Sequence, residues 1–175
     1  SSRTAKGQAI VNFLELGPGE KVSSILSLDQ ISTAAFLIMS TKNGVVKRVA
    51  MDQFANVRRS GLIAIRLKNG DELEWVKPTG GKDDVFLVTQ KGQAVRFKET
   101  DARAMGRVAS GVRGIRLRKD DTIVGMGVIR KSTSQKGAPE LLVIMANGYG
   151  KRTPVTEYKT QHRGGSGIKT ANVTE

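Results

Sequence analysis

The chain has 175 residues, with 29 Lys+Arg against 16 Asp+Glu, one histidine and no cysteine. Disulfides, thiolate metal sites and a multi-histidine site within one chain are excluded, while a hydrophobic share of 38% supplies a core and argues against wholesale disorder. The net charge of +13 points to a polyanionic partner: DNA, RNA or an acidic membrane surface.

The N-terminal "SSRTAKGQAIV" lacks the apolar stretch of a signal peptide, and no apolar run reaches the ~18–20 residues of a membrane span. No membrane partner is expected. The missing initiator Met reads as a piece of a longer protein, and the absence of cysteine permits a reducing compartment.

Two signatures then alternate. The chain opens on the strand-like "AKGQAIVNF" around Gly7, followed by "GPGEKVSSILSL". An apolar run, "AAFLIMS", leads into "TKNGVVKRV" (41–49), a tight turn ending in Gly and then a strand. "RSGLIAIRL" around Gly61 repeats the opening signature, and "KNGDELEWV" follows it. The cycle recurs as "DVFLVTQ", "TQKGQAVRF" (89–97), "ASGVRGIRL" around Gly111 and "RKDDTIVGMGVI", then as "ELLVIMA", "MANGYGKRT" (145–153) and "GSGIKTANV" around Gly167.

Gly44, Gly92 and Gly148 stand 48 and 56 positions apart, and Gly7, Gly61, Gly111 and Gly167 stand 54, 50 and 56 apart. A period of about 50 residues with four strands is that of a propeller blade. No 3.6-residue periodicity competes with it, apart from a short turn expected around Asp101–Met105. The expected organisation is a half unit at about 1–33, whole units at about 34–81 and 82–133, and a half unit at about 134–175. Strand edges left open at both ends give a fragment a route to self-association.

Each turn-plus-strand copy carries one Arg at the same offset: Arg48, Arg96 and Arg152. Alternation puts Val46, Arg48 and Ala50 on one face, with Val45, Lys47 and Val49 on the other. Such an Arg either contacts a ligand or lays its stem over apolar neighbours.

Catalytic chemistry is not expected. Asp83–Asp84 and Asp120–Asp121 recur at matching places and read as turn formers. "TGGKDD" has the wrong spacing for a phosphate loop. Tyr149 is expected to pack in a strand, Tyr158 to lie near a glycine-rich loop, and Trp75 to be core. Aromatics at 5% are too few for a single-strand stacking platform.

The stretches "VVKRVAMDQF", "VRFKETDARAMGRVASGVRGIRL" and "ANGYGKRTPVTEYKTQHRGGSGIKT" closely resemble the C-terminal domains of DNA gyrase A, within the type IIA topoisomerases. The resemblance covers essentially the whole chain. It implies an all-β fold, a six-bladed β-pinwheel whose blades exchange strands, of which this chain supplies about three blades' worth. It also implies non-sequence-specific binding and wrapping of duplex DNA on a basic rim, in support of ATP-dependent negative supercoiling by an A2B2 assembly with gyrase B. No cofactor is implied for this chain; ATP and Mg²⁺ belong to the holoenzyme. The implied location is cytoplasmic, at the nucleoid.

The family's box reads Q, basic, R, G, G, basic, G. "QHRGGSG" matches it at Gln161, Arg163, Gly164, Gly165 and Gly167, while His162 and Ser166 replace the variable basic positions. The residues expected on the DNA track are Lys47, Arg48, Arg58, Arg59, Arg96, Lys98, Arg103, Arg107, Lys151, Arg152, Lys159 and Arg163. Arg113, Arg116 and Arg118 are expected at edges or between blades. The alternatives are the C-terminal domain of topoisomerase IV and a basic protein-interaction propeller with weak DNA binding.

Overall fold

The computed structural model describes residues 6–9, 12–57, 60–131 and 139–173. Apart from a five-residue helix, α1 (Leu28–Ser32), and three 3₁₀ turns, its regular structure is β. The first hairpin joins β1 (Phe36–Thr41) to β2 (Val45–Ala50), and β3 (Leu73–Thr79) pairs antiparallel with β1 on its other edge. The second repeats the pattern with β4 (Asp84–Thr89), β5 (Gln93–Lys98) and β7 (Ile123–Ile129).

The fourth strand of each sheet arrives from the following unit. The two-residue β6 (Val112–Arg113) pairs with β2, and β10 (Ile168–Lys169) pairs with β5. The sheet orders are therefore β3-β1-β2-β6 and β10-β5-β4-β7. A third hairpin, β8 (Glu140–Ile144) with β9 (Gly150–Pro154), stands as a two-stranded sheet.

Local chemistry explains the repetition. At the first two hairpin tips a threonine hydroxyl accepts the N–H four residues on, Thr41 Oγ1 from Val45 and Thr89 Oγ1 from Gln93. The tip residues Gly44 and Gly92 then take φ of 79° and 75°, which L side chains avoid. Asp71 Oδ1 accepts the N–H groups of Asn43 and Glu72, tying the first tip to the turn before β3. Asp121 does the same for Lys91 and Thr122. Asp121 is thus a turn former as expected. Asp84 instead opens β4, where a buried carboxylate needs a cation rather than turn amides.

Both faces of the first two hairpins are largely buried. Ile38, Val46, Val85, Leu87, Val95 and Phe97 form the main core between the first and second sheets. The opposite face of the second sheet, through Phe86 and Ala94, packs on Val155 and Tyr158 of the third unit. Trp75 packs against the main core. Tyr158 is 3% exposed, edge-on to Phe86 at 5.1 Å between ring centres, and its hydroxyl meets Thr170 Oγ1. Tyr149 reverses the expectation: it lies in the β8–β9 connection and is 73% exposed. The turn expected near Asp101–Met105 forms slightly earlier, as a 3₁₀ turn over Glu99–Asp101.

Candidate nucleic-acid interface

The expected DNA track divides into buried and exposed residues. Lys47 is fully buried, and its ammonium donates to the carbonyls of Ala64 and Arg107. Burial, and then the nearby Arg107 charge, hold its pKa below the ordinary lysine value. A lysine committed to two carbonyls in the interior cannot meet a phosphate, so its assignment to the track is corrected here.

Arg48 and Arg96 are corrected for a related reason. Arg48 lies over the Phe36 ring at 4.4 Å, with Nη1 3.6 Å from Glu99 Oε2. Glu99 is itself fully buried, accepting from Thr79 Oγ1 and from the Asp83 N–H. Arg96 donates from Nε and Nη2 to Asp84 Oδ2, at 2.9 and 2.7 Å, and from Nη1 to the carbonyls of Val155 and Tyr158. The stem-covering reading of these arginines therefore describes Arg48 and Arg96. Arg152, at the equivalent place in the third hairpin, is exposed and pairs with Glu140 at 3.3 Å.

Lys98, Arg103, Lys151 and Lys159 are exposed, and Arg107 is half-buried. Arg58 and Arg59 lie outside the described residues. The box-like loop docks on the exit of β6. Gly164 N–H donates to Gly114 O, Arg116 N–H donates to Gly165 O, and Gln161 N–H donates to Arg96 O. Arg163 donates to the carbonyls of Asp101 and Arg113. His162 is fully exposed with Nδ1 3.6 Å from Asp101 Oδ2, and Ser166 faces solvent. Gly167 admits no side chain, because a Cβ there would collide with Ala94 O.

This docking leaves a groove of about 920 Å³ between the first hairpin tip, β6 and the box-like loop. Lys68, Arg113, Arg116 and Arg163 line it against one carboxylate, Asp71, whose Oδ1 already serves two backbone N–H groups. Lys68, Arg113 and Arg116 are exposed. Lys68 was not among the expected track residues, and Arg113 and Arg116 were expected only at edges or between blades. The readable signal is the position of both arginines just after the swapped-strand glycine: Arg113 ends the two-residue β6, Arg116 follows it, and both are exposed. Such a groove can hold an anionic backbone through charge, with no base-reading arrangement required. Among the described residues no group of three or more His, Asp or Glu could hold a metal ion. No helix of the described residues is long and apolar enough to cross a membrane.

The family model described as the DNA gyrase C-terminal domain, beta-propeller, matches residues 1–29, 35–79, 83–130 and 139–175. DNA gyrase A of Staphylococcus epidermidis is 42% identical over 175 residues, and that of Staphylococcus aureus is 43% identical. Each alignment covers 99% of this chain and 19% of the relative, so the chain spans about a fifth of the length of these relatives. A crystal structure of the C-terminal domain of DNA topoisomerase IV superposes with a TM-score of 0.81 at 28% identity, covering 93% of this chain and 49% of that one. A DNA gyrase A C-terminal domain superposes at 0.79 and 27% identity, covering 94% and 53%.

Proposed function

The chain belongs to the DNA gyrase C-terminal domain family, and from that premise we propose that it binds duplex DNA without reading sequence and bends or wraps it along an arc of exposed cations. The observation that carries this reading is the groove lined by Lys68, Arg113, Arg116 and Arg163. It joins three successive units at one place. Arg103, Arg107 and Lys159 extend the cationic surface along the segments that lead into the swapped strands.

Duplex DNA carries one charge per ~1.7 Å of axis, so a repeated set of cations can follow its backbone without base contacts. Bending 20–30 bp through 40–90° costs on the order of 1–6 kcal/mol, and contacts distributed over several units offset that cost. Within the longer protein, this domain supports ATP-dependent negative supercoiling by an A2B2 assembly with gyrase B in the cytoplasm, at the nucleoid. ATP and Mg²⁺ are held elsewhere in that assembly. The topoisomerase IV domain superposes as well as the gyrase domain, so the backbone alone does not choose between them; the sequence identity to gyrase A proteins favours gyrase.

The test is the affinity for duplexes of increasing length at several salt concentrations. Affinity should grow with length and fall steeply with salt. The double variant Arg113→Ala/Arg116→Ala should lower the slope of log K against log[salt] by about 2, near 0.9 per lost phosphate contact. Binding that ignores length and vanishes at physiological salt would favour the protein-interaction propeller instead.

A further inference from the structure

The three repeated arginines sit at equivalent positions, 48 and 56 residues apart. Each meets the first residue of its own hairpin: Phe36 for Arg48, Asp84 for Arg96 and Glu140 for Arg152. Arg48 and Arg96 also reach forward. Alternation puts Arg48 on the Val46 face, which packs on the second unit, and Arg96 on the Ala94 face, which packs on the third. Their targets are equivalent too. Glu99 and Val155 each open the 3₁₀ turn of the following unit, and Tyr158 caps the second of these turns. Arg48 meets the Glu99 carboxylate, whereas Arg96, with an apolar Val155 in that place, takes the backbone carbonyls of Val155 and Tyr158.

The backbone reinforces the same joint. Arg48 O accepts the Met105 N–H and Arg96 O accepts the Gln161 N–H. The segment anchored this way carries part of the cationic surface, the exposed Arg103 and Lys159 and the half-buried Arg107 and Arg163. It runs from the 3₁₀ turn through Arg103 and Arg107 to β6, and in the next unit through Lys159 and Arg163 to β10. Its far end is held by the swapped strand and its near end by the arginine.

We propose that Arg48 and Arg96 are inter-unit latches: positioning residues that set the angle between successive units, and so the curvature of the DNA path, without touching DNA. This rests on the DNA-wrapping reading given above. It predicts a separation of two quantities. Affinity for a short duplex depends on exposed cations alone. The path of a long duplex depends also on the joints.

The test uses the full-length protein that carries this domain, as wild type, Arg96→Gln, Arg48→Gln and Glu99→Gln. Each is bound to a nicked circular DNA that is then sealed, and the linking-number shift per bound protein is measured. Binding is measured in parallel on a duplex of about 12 bp, too short to bend appreciably against a persistence length of ~150 bp. Arg96→Gln is expected to lower the linking-number shift by about half, as when one joint of a curved track loosens, and to change short-duplex affinity less than about twofold, the scale of a surface charge. Glu99→Gln retains the side-chain shape and removes the charge facing Arg48; its amide oxygen can still accept the Asp83 N–H while its NH₂ turns Thr79 Oγ1 from donor to acceptor, so it tests the first joint even where Arg48→Gln does not fold.

Folded variants with the wild-type linking-number shift would overturn the latch. A tenfold loss on the short duplex would overturn it as well, by making the arginine a DNA contact. If the wild type itself shifts nothing, the wrapping reading fails; small-angle scattering of the free proteins then judges the latch alone, and an Arg96→Gln profile identical to wild type rejects it.

Discussion

The β4–β5 and β8–β9 hairpins are two copies of one design in different surroundings. The first is flanked by β7 and β10 and covered on both faces; the second stands as two strands, with Leu142 58% and Ile144 70% exposed. Each retains the tip glycine, the cross-strand ion pair and the alternation. What differs is what each feature touches, and therefore what it is worth. Gly92 and Gly148 share a left-handed φ of 75° and 82°, yet only Gly92 lies against another segment. The Asp84–Arg96 pair is largely buried at 2.7 Å, whereas Glu140–Arg152 is exposed at 3.3 Å. Equivalent residues carry equivalent backbone instructions; energetic weight comes from the neighbouring unit.

Three matched pairs of variants test this contrast through chemical denaturation. The largest single loss is expected at the tips. Gly92→Ala would drive a Cβ into the Ala171 carbonyl oxygen. It should cost about 1–2 kcal/mol for the left-handed backbone and about 1–3 kcal/mol more for the clash. Gly148→Ala, with nothing within 4 Å, should incur only the backbone cost. Equal losses in the two variants would erase the distinction between the hairpins.

The ion pairs come next. Asp84→Ala leaves Arg96 without its fork partner and should cost about 3 kcal/mol, the low end for breaking a buried pair, because 19% of the Arg96 side chain reaches solvent. Glu140→Ala should stay below about 1 kcal/mol, as exposed pairs do. A loss at Glu140 as large as that at Asp84 would mean that the third hairpin is covered in solution.

The smallest loss is expected in a pair that sets the first hairpin against the third: Lys47 and Lys151 occupy equivalent positions on β2 and β9. Lys47→Met abandons two carbonyls but also removes a buried charge, for a net loss of about 1–3 kcal/mol; Lys151→Met should be near neutral. The pH dependence has a definite sign. Lys47 is held below the ordinary value of 10.5 in the folded chain, so the unfolded chain binds that proton more tightly. The wild type should therefore gain stability as pH rises from the lowered pKa towards 10.5. Lys47→Met should lose that slope, and a slope that survives the substitution would assign it to another group.

The architecture was legible because repeated glycines impose repeated backbone. The hairpin tips and the apolar hairpin strands announce themselves locally, and the swapped strands follow Gly111 and Gly167 directly, whereas the same signature around Gly61 forms no strand. The short helix α1 did not announce itself: five residues are too few to establish a helical period. The candidate site was legible in composition and only partly in detail. Alternation correctly put one arginine per hairpin on a common face, but at Arg48 and Arg96 that face points at the next unit rather than at solvent. Nothing local to Arg96 names Val155 and Tyr158, far along the chain, as its acceptors. Lys47 misled for the same reason, since its partners Ala64 and Arg107 belong to other segments. Arg113 and Arg116 were seen as edge residues; Lys68, in a turn of ordinary composition, carried no signal until the groove brought it alongside them.

The strand exchange has a consequence for how the chain comes off the ribosome. Val46 pairs with Val112, 66 positions later, and Ala94 with Ile168, 74 positions later. At a synthesis rate of roughly 5–20 residues per second, a finished hairpin waits several seconds for its outer neighbour. During that interval its hydrogen-bonding edge is open to any extended segment nearby, including the wrong copy of the same signature on an adjacent nascent chain. Translation speed through the second and third units thus becomes a determinant of correct assembly, and slow codons there would lengthen the exposure.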